Sequence, residues 1–539
     1  MNEKASLPLL LRYPYFLILL INVAVYASTL GNAFMLDDYV VLFNELGISN
    51  KSFFAIFHDY QHIFSRPVGH LVMWLSYPIF KTDPVPYHVL NILLFSVICF
   101  LFYKIVEKLF HNRELAVLTA VLYALHPVNS MLVNYVTVTV ITTFVICLQA
   151  SFLFLLKYLD SQKRSHLAWS LGFFFLGLLS HEMSMVYPAY VFCLLYFLRG
   201  FSWRKALIFI LPYLAMSAVY LLYRMFFFSL KGQASAVFAV LHLFDVYISS
   251  IMALIYWYLG KLFFPQGIVF LWSAVIEEHY NPIEVYRFLL IVLVILYLIF
   301  VRWKKGLKAF ALSVFVIGLL PVFISSYAHF PFAEPMIEPH WFYFSSIGFF
   351  LIVARGLLWL KDTMTFRLWA VLVGVWLGAY IVLLQNNNSH WLTQERYCKY
   401  WIAKNPANTT PFYGLGQVAL ARKDTVQAVA YLEKTLKMSR YHSAFITADL
   451  GYAYVLSGET DKAVEMFKVA LETDPKYSVT FYYIALLKWQ QGDKKGAESF
   501  LLKAQELYAK SNVYSRELSR LKSGRPPEMI YPLLHLGGS

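Results

Sequence analysis

PYFLILLINVAVYASTLGNAFMLDD, residues 14–38, is the stretch whose reading decides the fold. From Pro14 to Leu36 it carries no charge and is long enough, as a helix, to cross the hydrocarbon core of a bilayer. It then ends abruptly on two adjacent carboxylates, Asp37 and Asp38. Carboxylates at a bilayer edge are costly unless they face water or perform chemistry. The stretch therefore reads as a retained membrane helix that delivers an acidic pair to an interface. No cleavage-site pattern follows it, so a signal peptide is not the expectation.

The remainder of the chain repeats that first pattern. Of 539 residues, 59% are hydrophobic and 14% charged, and mean hydropathy is +0.58, more apolar surface than a soluble core could hide. The expected class is an all-α, polytopic membrane bundle. Apolar runs near 14–34, 86–105, 114–133, 136–158, 166–181, 183–198, 206–227, 284–301, 309–327, 341–359 and 367–385 give about eleven spans. The formal net charge of +14 does not point to nucleic acid, because the Lys and Arg fall in short clusters between apolar runs. These clusters include Lys104, Lys108 and Arg113, then Arg302, Lys304 and Lys305, then Arg355, Lys361 and Arg367. They occupy alternate connections, which the positive-inside rule assigns to the cytoplasm. The N-terminus is then cytoplasmic and the C-terminal part lies on the other side, with Asp37, Asp38, Arg66, His126, His181, Glu182, Arg224, Glu338 and His340. Residues 236–264 break the alternation if counted as a crossing, and are expected to be re-entrant or interfacial. Cys99, Cys147, Cys193 and Cys398 are too few and too scattered for a disulfide framework, and read as packing residues.

The C-terminal part has a different periodicity. AVAYLEKTL at Ala428, AVEMFKVAL at Ala463 and AESFLLKAQ at Ala497 superimpose at a period near 34, each after a polar turn. This resembles tetratricopeptide repeats, helical hairpins that stack because one unit cannot bury its own apolar face. The expected boundaries are a membrane domain over 1–390 with an external loop at 37–85, a linker over 391–408, the repeat domain over 409–522 and a tail over 523–539. The array either caps or oligomerises the membrane domain, or docks a polypeptide on its concave face.

A family resemblance runs along the chain. The order Leu36-Asp37-Asp38, Ser65-Arg66-Pro67, Tyr87-His88 with Asn91, Leu125-His126-Pro127-Val128, Leu179-Ser180-His181-Glu182 and the 343–348 stretch, followed by repeats, resembles the transmembrane and tetratricopeptide-repeat O-mannosyltransferases of the GT-C glycosyltransferase superfamily. The resemblance implies a polyprenyl-phosphate-linked sugar donor and transfer to a hydroxyl on the non-cytoplasmic side. The chain departs from the family pattern at His181, where a lysine is usual before the glutamate, at Phe95 in place of a second histidine, and at Asn129 and Met131.

That chemistry assigns roles to the polar residues. A base must take the acceptor proton, and Asp37 or Asp38 is the candidate, the alternative for either being a helix cap. The leaving phosphate needs cations or donors, a role open to Arg66, Arg224, His126 and His181, with the arginines favoured for their bidentate grip. Arg224 can equally be a snorkelling anchor, and His126, before Pro127, a buried imidazole bonded to backbone. Glu182 is grouped with the catalytic acids, or offsets the cost of its own burial by pairing with an arginine or orienting a histidine, or binds the acceptor. Glu338 and His340, two apart in a proline-rich external loop, either bind substrate or belong to a solvated loop. His58 and His62, four residues apart, read as part of an interfacial amphipathic helix rather than a metal site, although Asp38 with a histidine leaves a divalent metal ion open. The expected partners are the lipid-linked donor, a protein or peptide acceptor and membrane lipid. The expected location is a bacterial inner membrane with periplasmic repeats, the alternative being an endoplasmic reticulum membrane with lumenal ones. Two competing functions are the same core glycosylating a lipid or glycan while the repeats recruit a partner, and a non-enzymatic membrane scaffold.

Overall fold

The computed structural model describes residues 13–42, 66–227, 244–273, 282–329, 336–439, 443–508 and 512–525. His58 and His62 lie outside these residues. The chain is helical and forms two compact units: residues 1–32 with 53–391, and residues 33–52 with 392–539.

The first helix, α1 (Pro14–Tyr26), continues as a tight turn over Ala27–Gly31, and α2 (Asp37–Leu42) belongs to the second unit. The first unit then runs through α3 (Pro67–Phe80), α4 (Pro84–Phe110), α5 (Arg113–Leu125), α6 (Thr139–Ser161), α7 (Arg164–Ser180), α8 (Tyr187–Cys193) and α9 (Trp203–Phe227). It is completed by α10 (Phe244–Phe263), α11 (Pro282–Leu296), α12 (Leu307–His329), α13 (Tyr343–Thr363) and α14 (Phe366–His390). Local chemistry sets several starts. Asp83 accepts from the N–H of Val85 ahead of Pro84, Asn112 from that of Leu115, and Thr365 from that of Leu368.

Every apolar run picked from the sequence contains helix, but the count of eleven spans is not confirmed. Among the described residues six helices are long and apolar enough to span a bilayer, or seven when the bent pair Arg113–Leu125 and Pro127–Asn134 counts as one. The reasons are local. The run at 114–133 bends by 63° at His126, which precedes Pro127 and takes an extended conformation. Glu182–Leu198 and Leu307–Val322 are apolar but short. Within 236–264 the chain forms one continuous helix, α10, which is not among the six.

Lipid tails are as apolar as leucine, so helices in a bilayer associate through close packing and interhelical hydrogen bonds. Both are present. A Cβ on Gly348 would lie 2.1 Å from the carbonyl oxygen of Ala311, and one on Gly318 would lie 2.6 Å from the nitrogen of Ser345, so α12 and α13 meet backbone to backbone. Amide side chains join α1, α4, α5's continuation and α14. Asn22 donates to Ser96 at 3.1 Å, Asn32 to Asn134 at 3.0 Å, Asn134 to Asn388 at 2.7 Å and Asn387 to Ser130 at 2.8 Å. Among the described residues the one β-ladder pairs Trp272 with Ile337 and Ser273 with Met336, which fixes the segment just before Glu338. Cys99, Cys147, Cys193 and Cys398 are all unpaired and buried.

The second unit contains α2, α15 (Gln394–Lys404) and three helical hairpins: α16 (Thr410–Ala421) with α17 (Thr425–Met438), α18 (Ala444–Ser457) with α19 (Thr460–Thr473), and α20 (Ser478–Gln490) with α21 (Lys494–Leu507). The helix α22 (Asn512–Lys522) follows. The first helices start at 410, 444 and 478, the interval of 34 read from the sequence. Each hairpin closes on a small residue facing a large one sixteen positions later. A Cβ on Gly416 would lie 2.8 Å from Leu432, and one on Gly451 would lie 2.5 Å from Phe467. In the third hairpin Ala485 and Leu501 hold the equivalent places and are both fully buried. α15 lies within the stretch expected as a linker; Gln394 donates to the carbonyl of Gly414 at 2.9 Å and its oxygen accepts the N–H of Leu36 at 3.1 Å.

Candidate active site

In the first unit the chain breaks twice in the same way. At His126 and again at His181 a helix ends, the histidine turns extended, and its Nδ1 accepts the backbone N–H two residues on, from Val128 and Met183 respectively, each at 3.2 Å. Each imidazole thereby caps a short tight turn and is a neutral ring protonated on Nε2. Beyond that shared geometry the two differ. His126 Nε2 lies 3.1 Å from the carbonyl oxygen of Leu262, and the ring packs edge-on against Phe350 and Tyr380. Both of its nitrogens are thus engaged by backbone here, where the sequence reading had it meet the donor phosphate. His181 is fully enclosed too, beside Phe144, but among the described residues no backbone partner is seen for its Nε2.

The turn after His181 presents Glu182 to two guanidiniums. Arg66, the residue before Pro67 at the start of α3, grips Glu182 with a fork, Nη2 to Oε1 at 2.6 Å and Nε to Oε2 at 3.1 Å. Arg224, in the last turn of α9, places Nη1 3.8 Å from Glu182 Oε2 and donates to the hydroxyl of Tyr220 at 3.2 Å, with its guanidinium over the Tyr220 ring. Nδ1 of His181 is 3.7 Å from the same carboxylate, but its lone pair already accepts from Met183, so this contact is not an ion pair. The pairing reading of Glu182 is the one the geometry shows: its carboxylate is held by Arg66. Both guanidiniums meet the carboxylate in a half-buried setting, with Arg66 and Arg224 20% and 17% exposed. A second anion suits such a place better than a second cation.

Near this cluster, and within electrostatic range of His181, sits His340. Its Nε2 lies 2.9 Å from Glu338 Oε2, across the short turn that opens α13. Their relative direction was not readable from sequence, because the loop around them is rich in proline. Here the carboxylate accepts Nε2–H, which leaves Nδ1 as a buried acceptor with no hydrogen-bond partner among the described residues. A carboxylate–imidazole pair of this form is what a proton acceptor requires.

Asp37 and Asp38 open α2, in the unit that holds the repeats. Their environments diverge. Asp38 is buried, its Oδ2 accepts the N–H of Met35 at 3.0 Å and its own N–H donates to the carbonyl of Met35 at 2.8 Å, so the side chain closes the turn that starts α2. Burial together with the adjacent Asp38 charge pushes the Tyr39 phenol up to about 12. Asp37 is exposed. The turn rests on Leu36 in the left-handed region at φ 46°, a conformation that costs a non-glycine residue about 1–3 kcal/mol and that clusters at functional positions. Among the described residues no group of three or more His, Cys, Asp or Glu could hold a metal ion.

Residues where the chain departs from the family pattern have become core. Phe95 is fully buried against Tyr26 and Tyr123, and Asn129 donates to the carbonyl of Tyr123 at 2.8 Å.

Comparison with known proteins supports the reading of both parts. Residues 65–228 match the dolichyl-phosphate-mannose-protein mannosyltransferase family, a span that contains Arg66, His126, His181, Glu182 and Arg224. Residues 448–477, the turn-linked pair α18 and α19, match a tetratricopeptide repeat. The chain is 31% identical over 137 residues to protein O-mannosyl-transferase F38B6.6 of Caenorhabditis elegans, covering 22% of this chain and 20% of that one. It is 28% identical over 96 residues to the RNA polymerase-associated protein CTR9 of the same organism, covering 18% of this chain and 8% of that one. The chain thus spans about a fifth or less of the length of these curated relatives. It joins a helical membrane unit similar to the mannosyltransferases to a tetratricopeptide-repeat array, and in that architecture it resembles the transmembrane and tetratricopeptide-repeat O-mannosyltransferases of the GT-C superfamily.

Proposed function

We propose that this protein transfers a sugar, mannose by the names of the proteins it resembles, from a polyprenyl phosphate to a hydroxyl of a protein acceptor at the non-cytoplasmic face of a membrane. The observation that carries the reading is Glu182 set between Arg66 and Arg224 at a helix break, inside the segment similar to mannosyltransferases.

In the reaction the acceptor oxygen bonds to the anomeric carbon, the bond from that carbon to the phosphate oxygen breaks, and the acceptor proton passes to a base. Polyprenyl phosphate leaves as an anion. Arg66 and Arg224 meet that growing negative charge, and because Glu182 holds Arg66 in place before substrate arrives, little reorganisation is needed as the charge develops. His181 adds an Nε2–H donor. Glu182 thus acts as a positioning residue rather than as an acid or base. Two candidates remain for the proton: Asp37, the exposed member of the acidic pair, and His340, oriented by Glu338 with Nδ1 open. Asp38 supports Asp37 by closing its turn. The repeat array presents the acceptor polypeptide. The basic connections face the cytoplasm, and the membrane is a bacterial inner membrane with the array in the periplasm.

The test is reconstitution of the full chain in liposomes with radiolabelled mannosyl phosphoryl polyprenol and a serine- and threonine-containing acceptor. Time-dependent label on the acceptor is expected, falling at least tenfold in Arg66→Lys, which keeps the charge but loses the fork. Absence of transfer by the intact protein over a panel of acceptors, or full activity in Arg66→Lys and Arg224→Lys alike, overturns the assignment.

A further inference from the structure

The end of the first unit remote from the Glu182 cluster holds a second site, made where two spaces meet. A narrow slot of about 60 Å³ runs between α4, α6, α8, α12 and α13, walled by apolar residues that include Phe102, Val106, Phe310, Val314 and Leu351. The amide of Gln149, which also borders it, is buried with neither its nitrogen nor its oxygen hydrogen-bonded. Next to it lies a polar cleft of about 350 Å³ bounded by Asn112, Glu114, Arg355, Lys361 and Asp362.

The two spaces share the same three helices and follow each other along them. On α4 the slot reaches Leu109 and the cleft begins at Phe110; on α12 the slot reaches Phe310 and the cleft Leu307; on α13 the slot reaches Leu351 and the cleft Arg355, one turn later. Greasy walls thus give way to charged ones within a single turn. In the cleft, Lys361 is already engaged by Glu114 at 2.7 Å. Arg355 and Asp362 are exposed and make no ion pair among the described residues. They stand seven residues apart on α13, two turns on the same face. Reading outward along that face gives Leu351, then a cation, then an anion.

We propose that this site binds an aminophospholipid, a glycerophospholipid with a primary ammonium in its headgroup, as a bound companion distinct from the sugar donor. One acyl chain lies in the slot, the phosphate on Arg355 and the ammonium on Asp362. The order chain, phosphate, amine matches the order Leu351, Arg355, Asp362, and the narrowness of the slot suits a single alkyl chain rather than a fused ring system. The location also separates it from the reaction. His340 precedes Tyr343 at the opening of α13, whereas Arg355 and Asp362 lie toward its other end, on a 21-residue helix about 30 Å long at 1.5 Å per residue. A carrier whose phosphate reacts at the Arg66–Glu182 cluster cannot place that same phosphate in this cleft. Filling the slot also ties α4, α12 and α13 together beside the tight α12–α13 crossing, whose Ala311 and Gly348 both line it.

Native mass spectrometry of the full chain released from nanodiscs containing equal phosphatidylethanolamine, phosphatidylglycerol and phosphatidylcholine tests the proposal. The expected result is one retained phosphatidylethanolamine per chain. Arg355→Glu lowers retention of all three lipids at least tenfold, Arg355→Lys restores it, and Asp362→Asn removes the preference for phosphatidylethanolamine over phosphatidylglycerol. Both positions are exposed, and an unchanged gel-filtration profile establishes that the variants fold. Equal retention in wild type and Arg355→Glu, indifference to headgroup in the wild type, or recovery of a polyprenyl lipid alone overturns it. Loss of glycosyl transfer with lipid retention intact counts against the proposed reaction and not against this site.

Discussion

Arg66 and Glu182 form a two-pronged pair, with 2.6 Å from Nη2 to Oε1 and 3.1 Å from Nε to Oε2, although 116 residues separate them. The pair joins the start of α3 to the turn that follows α7, and Arg224 stands 3.8 Å from the same carboxylate. Arg66 and Glu182 stand where helices break, and with Arg224 they set the charge at that place.

Removing the carboxylate alone should damage the cluster more than removing one cation. Glu182→Gln keeps the shape but leaves two guanidiniums without their counter-charge and costs about 1.5–3 kcal/mol in lost charged hydrogen bonds. The expected outcome is a lower melting temperature of the detergent-solubilised protein together with loss of transfer. Unchanged melting would mean that the pair does not hold α3 to the α7 turn.

Tyr220→Phe isolates the contribution of Arg224. The hydroxyl accepts from Arg224 Nη1 at 3.2 Å, and its removal leaves the ring beneath the guanidinium in place. A several-fold fall in kcat is expected, on the order of the ~0.5–1.5 kcal/mol of one hydrogen bond, because Arg224 acts on the charge that grows as the donor bond breaks. A raised donor KM with kcat unchanged would limit Arg224 to ground-state binding.

Two substitutions separate the candidate bases. His340→Gln should reduce transfer by roughly 10²–10⁴ if His340 takes the proton, with Glu338→Gln following in the same direction, and Asp37→Asn should do so if the exposed carboxylate takes it. Asp38→Ala should instead act on stability, at about 0.5–2 kcal/mol for a lost turn cap. Full activity in both His340→Gln and Asp37→Asn would leave neither as the base.

In the repeat array, Gly451→Ala forces a methyl group onto the Phe467 ring, at 2.5 Å if nothing moves. Overpacking of this kind costs about 1–3 kcal/mol. Limited proteolysis of the full chain should show earlier cleavage within 443–508, while Gly458→Asn, at a left-handed helix end that asparagine tolerates, should change the pattern little. Equal resistance in Gly451→Ala and wild type would contradict the close packing of α18 on α19.

How much was legible in advance differs by feature. Apolar run length showed a helical membrane unit, and a 34-residue period showed the array, because both are local properties of the chain. Which apolar runs stay straight was not legible, since hydropathy sees an apolar run at 114–133 but not the 63° bend at His126. The pairing of Glu182 with an arginine could be anticipated from the cost of an unpaired acid near lipid, but not the fork geometry. His126 and His181 read alike in sequence, each ending a helix; only packing shows that the carbonyl of Leu262 takes the second nitrogen of His126.

By itself the sequence determined class and organisation: helices for a bilayer, stacked hairpins after them, and which residue types were available for phosphate and proton transfer. These follow from solvation and periodicity, which act over a few turns. Tertiary structure decided which of those residues meet. A fork across 116 residues, a histidine oriented by Glu338 and a turn closed by Asp38 depend on angles between helices, and those angles are set by contacts such as Gly348 against Ala311 that no local pattern encodes.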